Sequence, residues 1–290
     1  DTTDIGGGTG AGAGAVYQTN GTVTLLSSPT APSDSVFVLG GSASQGTAGY
    51  GYYLLSSGTI SGSTFDVGGR VNQGLGVMDV FSGGTVQPYA TMAIGRGNGA
   101  GQPGSGVLNV AGGAISFNGA ANTNTGGDSQ LMLGYRGGIS ELNISGGGSV
   151  TLSSQEVLIN GWGMDLMRLN GGSTSVVNLN ANGTLTTPLI QASSSGGGSV
   201  SLLNFNGGTL AATSGNFGAK FLSSTNIGAV TIYSGGATVD NGGTGITISN
   251  ALVGASGNGV QTIVVTSGGS NYIGAPLVQI TGGTANNGSV

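Results

Sequence analysis

Short apolar runs, separated by turns rich in glycine, asparagine and serine, follow one another along the chain. Runs such as residues 36–39 and 263–265 are brief and rich in β-branched side chains. No segment keeps a helical period over ten residues. β-branched residues favour strands, and glycine readily adopts the positive φ values of sharp corners. The pattern therefore predicts an all-β chain of short strands joined by tight turns.

Two sequence themes recur in a fixed order. The first is a Gly-Gly, Asn-Gly or Ser-Gly pair followed by a small and then an apolar residue. Its copies begin at Asn20, Ser57, Gly83, Gly112, Gly147, Asn182, Gly207 and Gly235. The second theme, upstream of each pair, is an apolar strand ending in glycine or another small residue, as in residues 92–95. Six intervals separate residues 57 and 235, which gives about 30 residues per repeat.

A repeat of this length with about three short strands is typical of one coil of a parallel β-helix, or β-solenoid. Coils stacked at ~4.8 Å would give a domain of roughly 40 Å. An antiparallel sandwich also explains the strands, but not the ordered recurrence of two themes. We expect residues 1–35 to form a glycine-rich edge segment and the first coil, residues 36–259 the solenoid repeats, and residues 260–290 a divergent C-terminal repeat.

Composition narrows the function classes. The 290 residues include 64 glycines without a three-residue period, which argues against collagen, and apolar clusters argue against a disordered chain. Five Lys/Arg and a net charge of −5 are unfavourable for binding nucleic acid. Cysteine and histidine are absent, which removes disulfides and the commonest zinc ligands and catalytic bases. No apolar run is long enough to span a membrane.

The clearest copy of the combined unit covers residues 92–97 and 104–113. It resembles the repeat shared by autotransporter (type V secretion) passenger proteins and PEP-CTERM-associated surface proteins, over roughly residues 36–240. Residues 266–272 and 275–280 resemble a second repeat of large bacterial surface proteins. The resemblance implies export, a right-handed parallel β-helix, a location outside the cell at the bacterial surface, and no catalytic residues.

Two rows of polar residues recur with the repeat. Asn109, Asn143, Asn178 and Asn204 occupy similar places in successive repeats, with Asp79 beside them in the pattern. We expect their amides to stack as a structural ladder, with a ligand-binding row as the alternative.

Arg70, Arg96 and Arg136 each follow the glycine of the first strand by one or two residues. Stacked coils would bring them to one side of the solenoid, as a solvated edge or as a surface that binds an anionic glycan or a partner.

Enzyme chemistry has little support in the sequence. The acidic residues are dispersed, and the nearest approach to a cluster is Asp128, Arg136 and Glu141. The glycine-rich residues 6–12 are not followed by the lysine of a phosphate-binding loop. We therefore predict no catalytic, cofactor-binding or metal-binding residue. Trp162 and the tyrosines at 50, 52 and 53 are interpreted as packing residues, with sugar stacking as the alternative.

These observations predict an extracellular structural or adhesive β-solenoid module, such as a stalk, sheath or fibre component. A glycan-binding β-helix is the first alternative, and a polysaccharide-degrading β-helix enzyme is a second, less favoured alternative. Expected partners are cell-surface glycans and a second copy joined end to end, and neither nucleic acid nor a membrane span in this chain is expected. Neither end of the sequence carries a polar capping element, so we expect a slice of a longer protein, with head-to-tail filament assembly as the second explanation.

Overall fold

A computed structural model describes residues 2–7, 12–25, 35–41, 49–70, 73–97, 102–117, 130–152, 163–169, 172–194, 197–213, 220–256 and 262–278. These residues form strands and turns, and no helix occurs among them. Among these residues, all twenty pairings between strands are parallel. The predicted all-β, parallel-stranded class is confirmed, and the architecture is consistent with a β-solenoid.

Within the described residues, one sheet contains nine strands, each hydrogen-bonded to the strand of the next repeat. In order they are β2 (Ala13–Gln18), β5 (Tyr50–Leu55), β7 (Leu75–Phe81), β9 (Ser105–Ala111), β12 (Ile139–Ser145), β15 (Thr174–Asn180), β18 (Val200–Asn206), β20 (Ala229–Ile232) and β22 (Leu252–Gly254). The register stays constant from β7 to β18, so equivalent residues of successive repeats stand side by side.

The second sheet contains thirteen strands in the part of the chain that the structure describes. Its main path is β1 (Thr2–Ile5), β4 (Val36–Leu39), β6 (Gly58–Val67), β8 (Gly84–Ile94), β10 (Ala114–Ser116), β13 (Ser149–Thr151), β16 (Thr184–Thr187), β19 (Thr209–Ala212) and β21 (Thr238–Asp240). Four further strands join it: β3 (Thr22–Thr24), β11 (Gln130–Leu133), β14 (Met164–Asp165) and β17 (Ile190–Gln191). Strands β6 and β8 pair with each other along most of their length. In the next repeat two shorter strands take the place of one long strand: β10 pairs with the first part of β8, and β11 pairs with its last part.

The core lies between the two sheets and runs through successive repeats. In β9 and β12 the residues alternate between buried and half-buried, as expected for strands with one face on a core. Apolar side chains next to the predicted asparagine positions in sequence are fully or almost fully buried: Leu108, Val110, Leu142, Ile144, Leu179, Leu203 and Phe205. Each such side chain contributes about 1.5–3 kcal/mol relative to an exposed position.

The glycine pairs lie at the turns between the two sheets, and the two members serve different purposes. Gly147 has φ +86° and open space where a Cβ would stand, so its role is the left-handed backbone of the turn. A Cβ on Gly148 would stand 2.1 Å from the carbonyl oxygen of Val110 in the preceding repeat. In the next copy of the theme, Asn182 takes the place of the first glycine and has φ 62°. Asparagine tolerates this left-handed backbone conformation better than most residues.

Candidate functional site

The predicted asparagine row lies on the outward face of the nine-stranded sheet. Asn143 donates its Nδ2–H to Oδ1 of Asn109 at 2.9 Å, Asn178 donates to Asn143 at 2.7 Å, and Asn204 donates to Asn178 at 2.9 Å. Asn109 in turn donates to Oδ1 of Asp79 at 2.7 Å. The structure therefore brings these five side chains into one chain of hydrogen bonds, here called the polar ladder.

The polar ladder has a direction. Every amide donates toward the N-terminal repeats, so the amide dipoles align and the series ends on the Asp79 carboxylate. Tyr52 also donates its hydroxyl to Asp79, at 2.7 Å. Burial raises the pKa of Tyr52, and the hydrogen bond to Asp79 and its charge raise it further. Aligned hydrogen bonds polarise and strengthen one another. This favours a structural role for the polar ladder, in which it fixes the register between neighbouring repeats.

We expect Asn143→Leu to lower the free energy of unfolding by about 1–3 kcal/mol, because Asn109 and Asn178 each lose a partner. Urea denaturation followed by circular dichroism measures the change. Asn180→Leu, on the same face and not part of the polar ladder, is the matched control. Equal stability of Asn143→Leu and the control would contradict a structural role for the polar ladder.

The predicted arginine row forms two clusters that share Arg96. Arg96 and Arg70 both approach the carboxylate of Asp66, with Nη1–Oδ2 distances of 3.3 and 3.5 Å. Asp66 is fully buried although it lies on the outward side of its strand, next to the inward-facing Phe65. Burial raises the pKa of Asp66, and the charges of Arg96 and Arg70 oppose that rise. This part of the row is an ion-pair cluster with little exposed charge.

The second part surrounds Tyr135. The guanidinium carbons of Arg96 and Arg136 lie 4.8 and 5.1 Å from the centre of the Tyr135 ring, within the range of cation–π attraction. The backbone N–H of Arg136 donates to the carbonyl of Arg168 in the next repeat, at 3.1 Å. Sequence reasoning missed Arg168. It follows residues 164–167, where Asp165 interrupts the apolar run and no glycine marks the end of the strand.

The acid and base residues considered for catalysis are not brought together in the described chain. Arg136 belongs to the turn beside Tyr135, whereas Glu141 lies in β12, where Oε1 accepts a hydrogen bond from Asn178 at 3.2 Å. No ion pair joins Arg136 and Glu141. Asp128 lies outside the described residues. Within the described ranges, no three His, Cys, Asp or Glu side chains form a group that could hold a metal ion.

The tyrosine cluster points to both sides of its strand. Tyr53 is in the core, edge-on to Phe37 at 5.4 Å between ring centroids, and its hydroxyl donates to Gln18. Tyr50 and Tyr52 face outward, and burial is the main reason that the pKa of Tyr50 rises to about 12. Trp162 lies outside the described residues.

Comparison of the chain with protein-family models, with curated proteins and with solved structures finds no match. The described residues include no helix with the length and apolar character needed to cross a membrane.

Proposed function

We propose that this chain is a structural or adhesive module of an extracellular bacterial surface protein, such as part of a stalk, sheath or fibre. In this proposal it forms a right-handed β-helix with about 30 residues and three short strands per coil. Partner residues along the polar ladder, 30, 34, 35 and 26 positions apart in sequence, agree with coils of that size.

The observation that carries the proposal is the unbroken parallel pairing of nine strands along one axis. At ~4.8 Å per strand, the nine-stranded sheet extends over roughly 40 Å. Neighbouring repeats are joined by backbone hydrogen bonds and a shared core, and the repeats from β7 to β18 are joined by the polar ladder as well. Such an element keeps its two ends a fixed distance apart, which suits a spacer or a fibre.

Composition agrees with the proposed structural role. The chain has 5% charged residues and no cysteine, so its stability comes from the core and backbone pairing without disulfides. The resemblance of residues 92–113 to repeats of exported passenger proteins agrees with this proposal.

Binding of an anionic glycan is the second candidate. Arg136 and Tyr135 are both partly exposed in the same turn, with Arg96 and Arg168 in the neighbouring turns. A guanidinium group beside an aromatic ring is suited to carboxylate or sulfate groups on a sugar. In this second candidate function the stacked repeats are a scaffold, and the turns with Arg96, Arg136 and Arg168 form a short basic edge on it. End-to-end association of copies would repeat this basic edge along a filament.

A glycan array that includes neutral, uronic-acid and sulfated polysaccharides tests both candidates. A purely structural module binds none of them above background and changes none of their chain lengths. Saturable binding to acidic glycans that falls at least about tenfold in Arg136→Ala, but not in Lys220→Ala, would favour the second candidate. Lys220→Ala is a matched control because it removes one exposed cation elsewhere. Cleavage of any polysaccharide by the purified chain would contradict both.

A further inference from the structure

The outward face of the nine-stranded sheet carries a row of apolar side chains parallel to the polar ladder. Residues in register along this row, here called the outer row, are Tyr52, Val77, Val107, Glu141, Val176 and Leu202. Tyr52, Val77, Val176 and Leu202 are buried although they face away from the core. Glu141 is the one charged member of the outer row.

Residues 262–278, here called the C-terminal segment, lie against this face. Tyr17 donates its hydroxyl to the carbonyl of Ile273 at 2.6 Å, and Tyr50 donates to the carbonyl of Ala275. Gly274 lies so close to Tyr52 that a Cβ there would stand 2.3 Å from the ring. The C-terminal segment is therefore held at the N-terminal repeats by tyrosines that recognise its backbone.

Farther along the outer row, the C-terminal segment and the sheet enclose a cleft of about 410 Å³. Val107, Ile139 and Val176 line it from the sheet, and Ile263, Leu277 and Val278 line it from the C-terminal segment. This volume lies within the range of small-molecule pockets, about 300–1,000 Å³. The lining is mostly apolar, as it is in most such pockets.

Glu141 is the charged group of the cleft lining. Its Oε1 accepts one hydrogen bond, from Asn178 at 3.2 Å, and its neighbours in the outer row on either side are valines. Valine in this position would be enough to pack the face, as Val107 and Val176 show. A carboxylate among apolar groups is best stabilised by a positive charge that enters the same space.

We propose that the cleft binds an organic cation, with the apolar body of the ligand against the valines and its ammonium group on the Glu141 carboxylate. The body gains from burial of apolar surface, and the ammonium gains a charge-assisted hydrogen bond. An anion of the same shape is repelled by Glu141, and a neutral alcohol keeps the apolar contribution and a hydrogen bond to the carboxylate but loses the attraction between opposite charges. The site is distinct from the basic edge around Tyr135 and does not depend on the proposed structural role.

Titration calorimetry of the full chain with three probes of equal length tests the proposal: hexylamine, which is protonated at pH 7, hexan-1-ol and hexanoate. Hexylamine is expected to bind with a Kd about tenfold lower than that of hexan-1-ol, because its ammonium group adds the attraction of a full positive charge to the hydrogen bond that either head group can donate to Glu141. Hexanoate is expected to bind more weakly than either. Glu141→Gln should raise the Kd of hexylamine about tenfold, to near that of hexan-1-ol, and change the Kd of hexan-1-ol much less, since the glutamine oxygen still accepts hydrogen bonds from Asn178 and from the ligand.

Two further variants separate a specific cleft from general apolar binding. Val176→Trp fills the space and should weaken hexylamine and hexan-1-ol alike, while Asp240→Asn, which removes an exposed carboxylate on the other sheet, should change neither. Thermal melting checks that each variant is folded, and Ile139→Trp replaces Val176→Trp if the latter melts early. Equal affinity for all three probes, no saturable binding of hexylamine, or hexylamine binding that is unchanged in Glu141→Gln would each overturn the proposal.

Discussion

Replacing Gly148 by alanine is expected to lower the free energy of unfolding by about 3 kcal/mol or more, at the upper end of overpacking effects. The new methyl group would stand 2.1 Å from the carbonyl oxygen of Val110, and that oxygen belongs to the backbone of the preceding repeat. No side-chain rotation can relieve such a contact, so the two repeats must separate at this turn. The backbone hydrogen bonds and core contacts on either side of the turn would weaken as a result. Urea denaturation followed by circular dichroism measures the loss.

Gly147 provides the matched control, because it is the neighbouring residue in the same turn. A Cβ there meets no atom within 4 Å, and the cost of Gly147→Ala is only that of a left-handed backbone, about 1–2 kcal/mol. Gly147→Asn should cost less, since Asn182 adopts φ 62° at the equivalent position of the next copy. If Gly147→Ala proved as damaging as Gly148→Ala, the close approach between repeats would not be the dominant constraint.

These two glycines show how far the sequence predicts the fold. The recurring pairs correctly indicate where turns fall, and the spacing of the pairs aligns Leu108 with Leu142 in adjacent strands. The pattern does not distinguish the glycine that turns the chain from the glycine that lets two backbones touch. That difference depends on the distance to Val110 in another repeat, which has no counterpart in local composition.

Features that cross the repeat pattern were beyond sequence reasoning. Tyr17 contacts Ile273 across 256 residues, and no period of about 30 predicts such a contact. The sequence pattern predicts a divergent repeat over residues 260–290. The structure describes residues 262–278 of this range, and they contain no strand. The arginine row was predicted from its spacing, but its partner Asp66 was not, because an outward position in a strand normally implies exposure to solvent.

Replacing Arg96 by methionine is expected to destabilise the protein by about 3 kcal/mol at pH 7, because Asp66 then keeps one partner in a fully buried position. Arg70 alone is the weaker partner, at 3.5 Å and with 26% of its side chain exposed. Asp66→Asn should cost less, since the arginine side chains are 26% and 15% exposed whereas Asp66 is fully buried. The double variant Asp66→Asn/Arg96→Met should recover part of the loss, and urea denaturation of all four proteins forms a double-mutant cycle.

The pH dependence identifies the buried charge as the cause. The pKa of Asp66 is already raised in the folded state by burial, and Arg96→Met removes the largest opposing influence, so the pKa rises further. The folded state of the variant then binds a proton more tightly than the unfolded state does. Its stability is therefore greatest below the unfolded pKa of about 3.9 and falls as the pH rises through the raised folded pKa. The deficit of Arg96→Met relative to the parent should shrink on acidification. A deficit that stays constant with pH, and that the added Asp66→Asn change does not relieve, would assign the effect to lost packing of the arginine side chain instead.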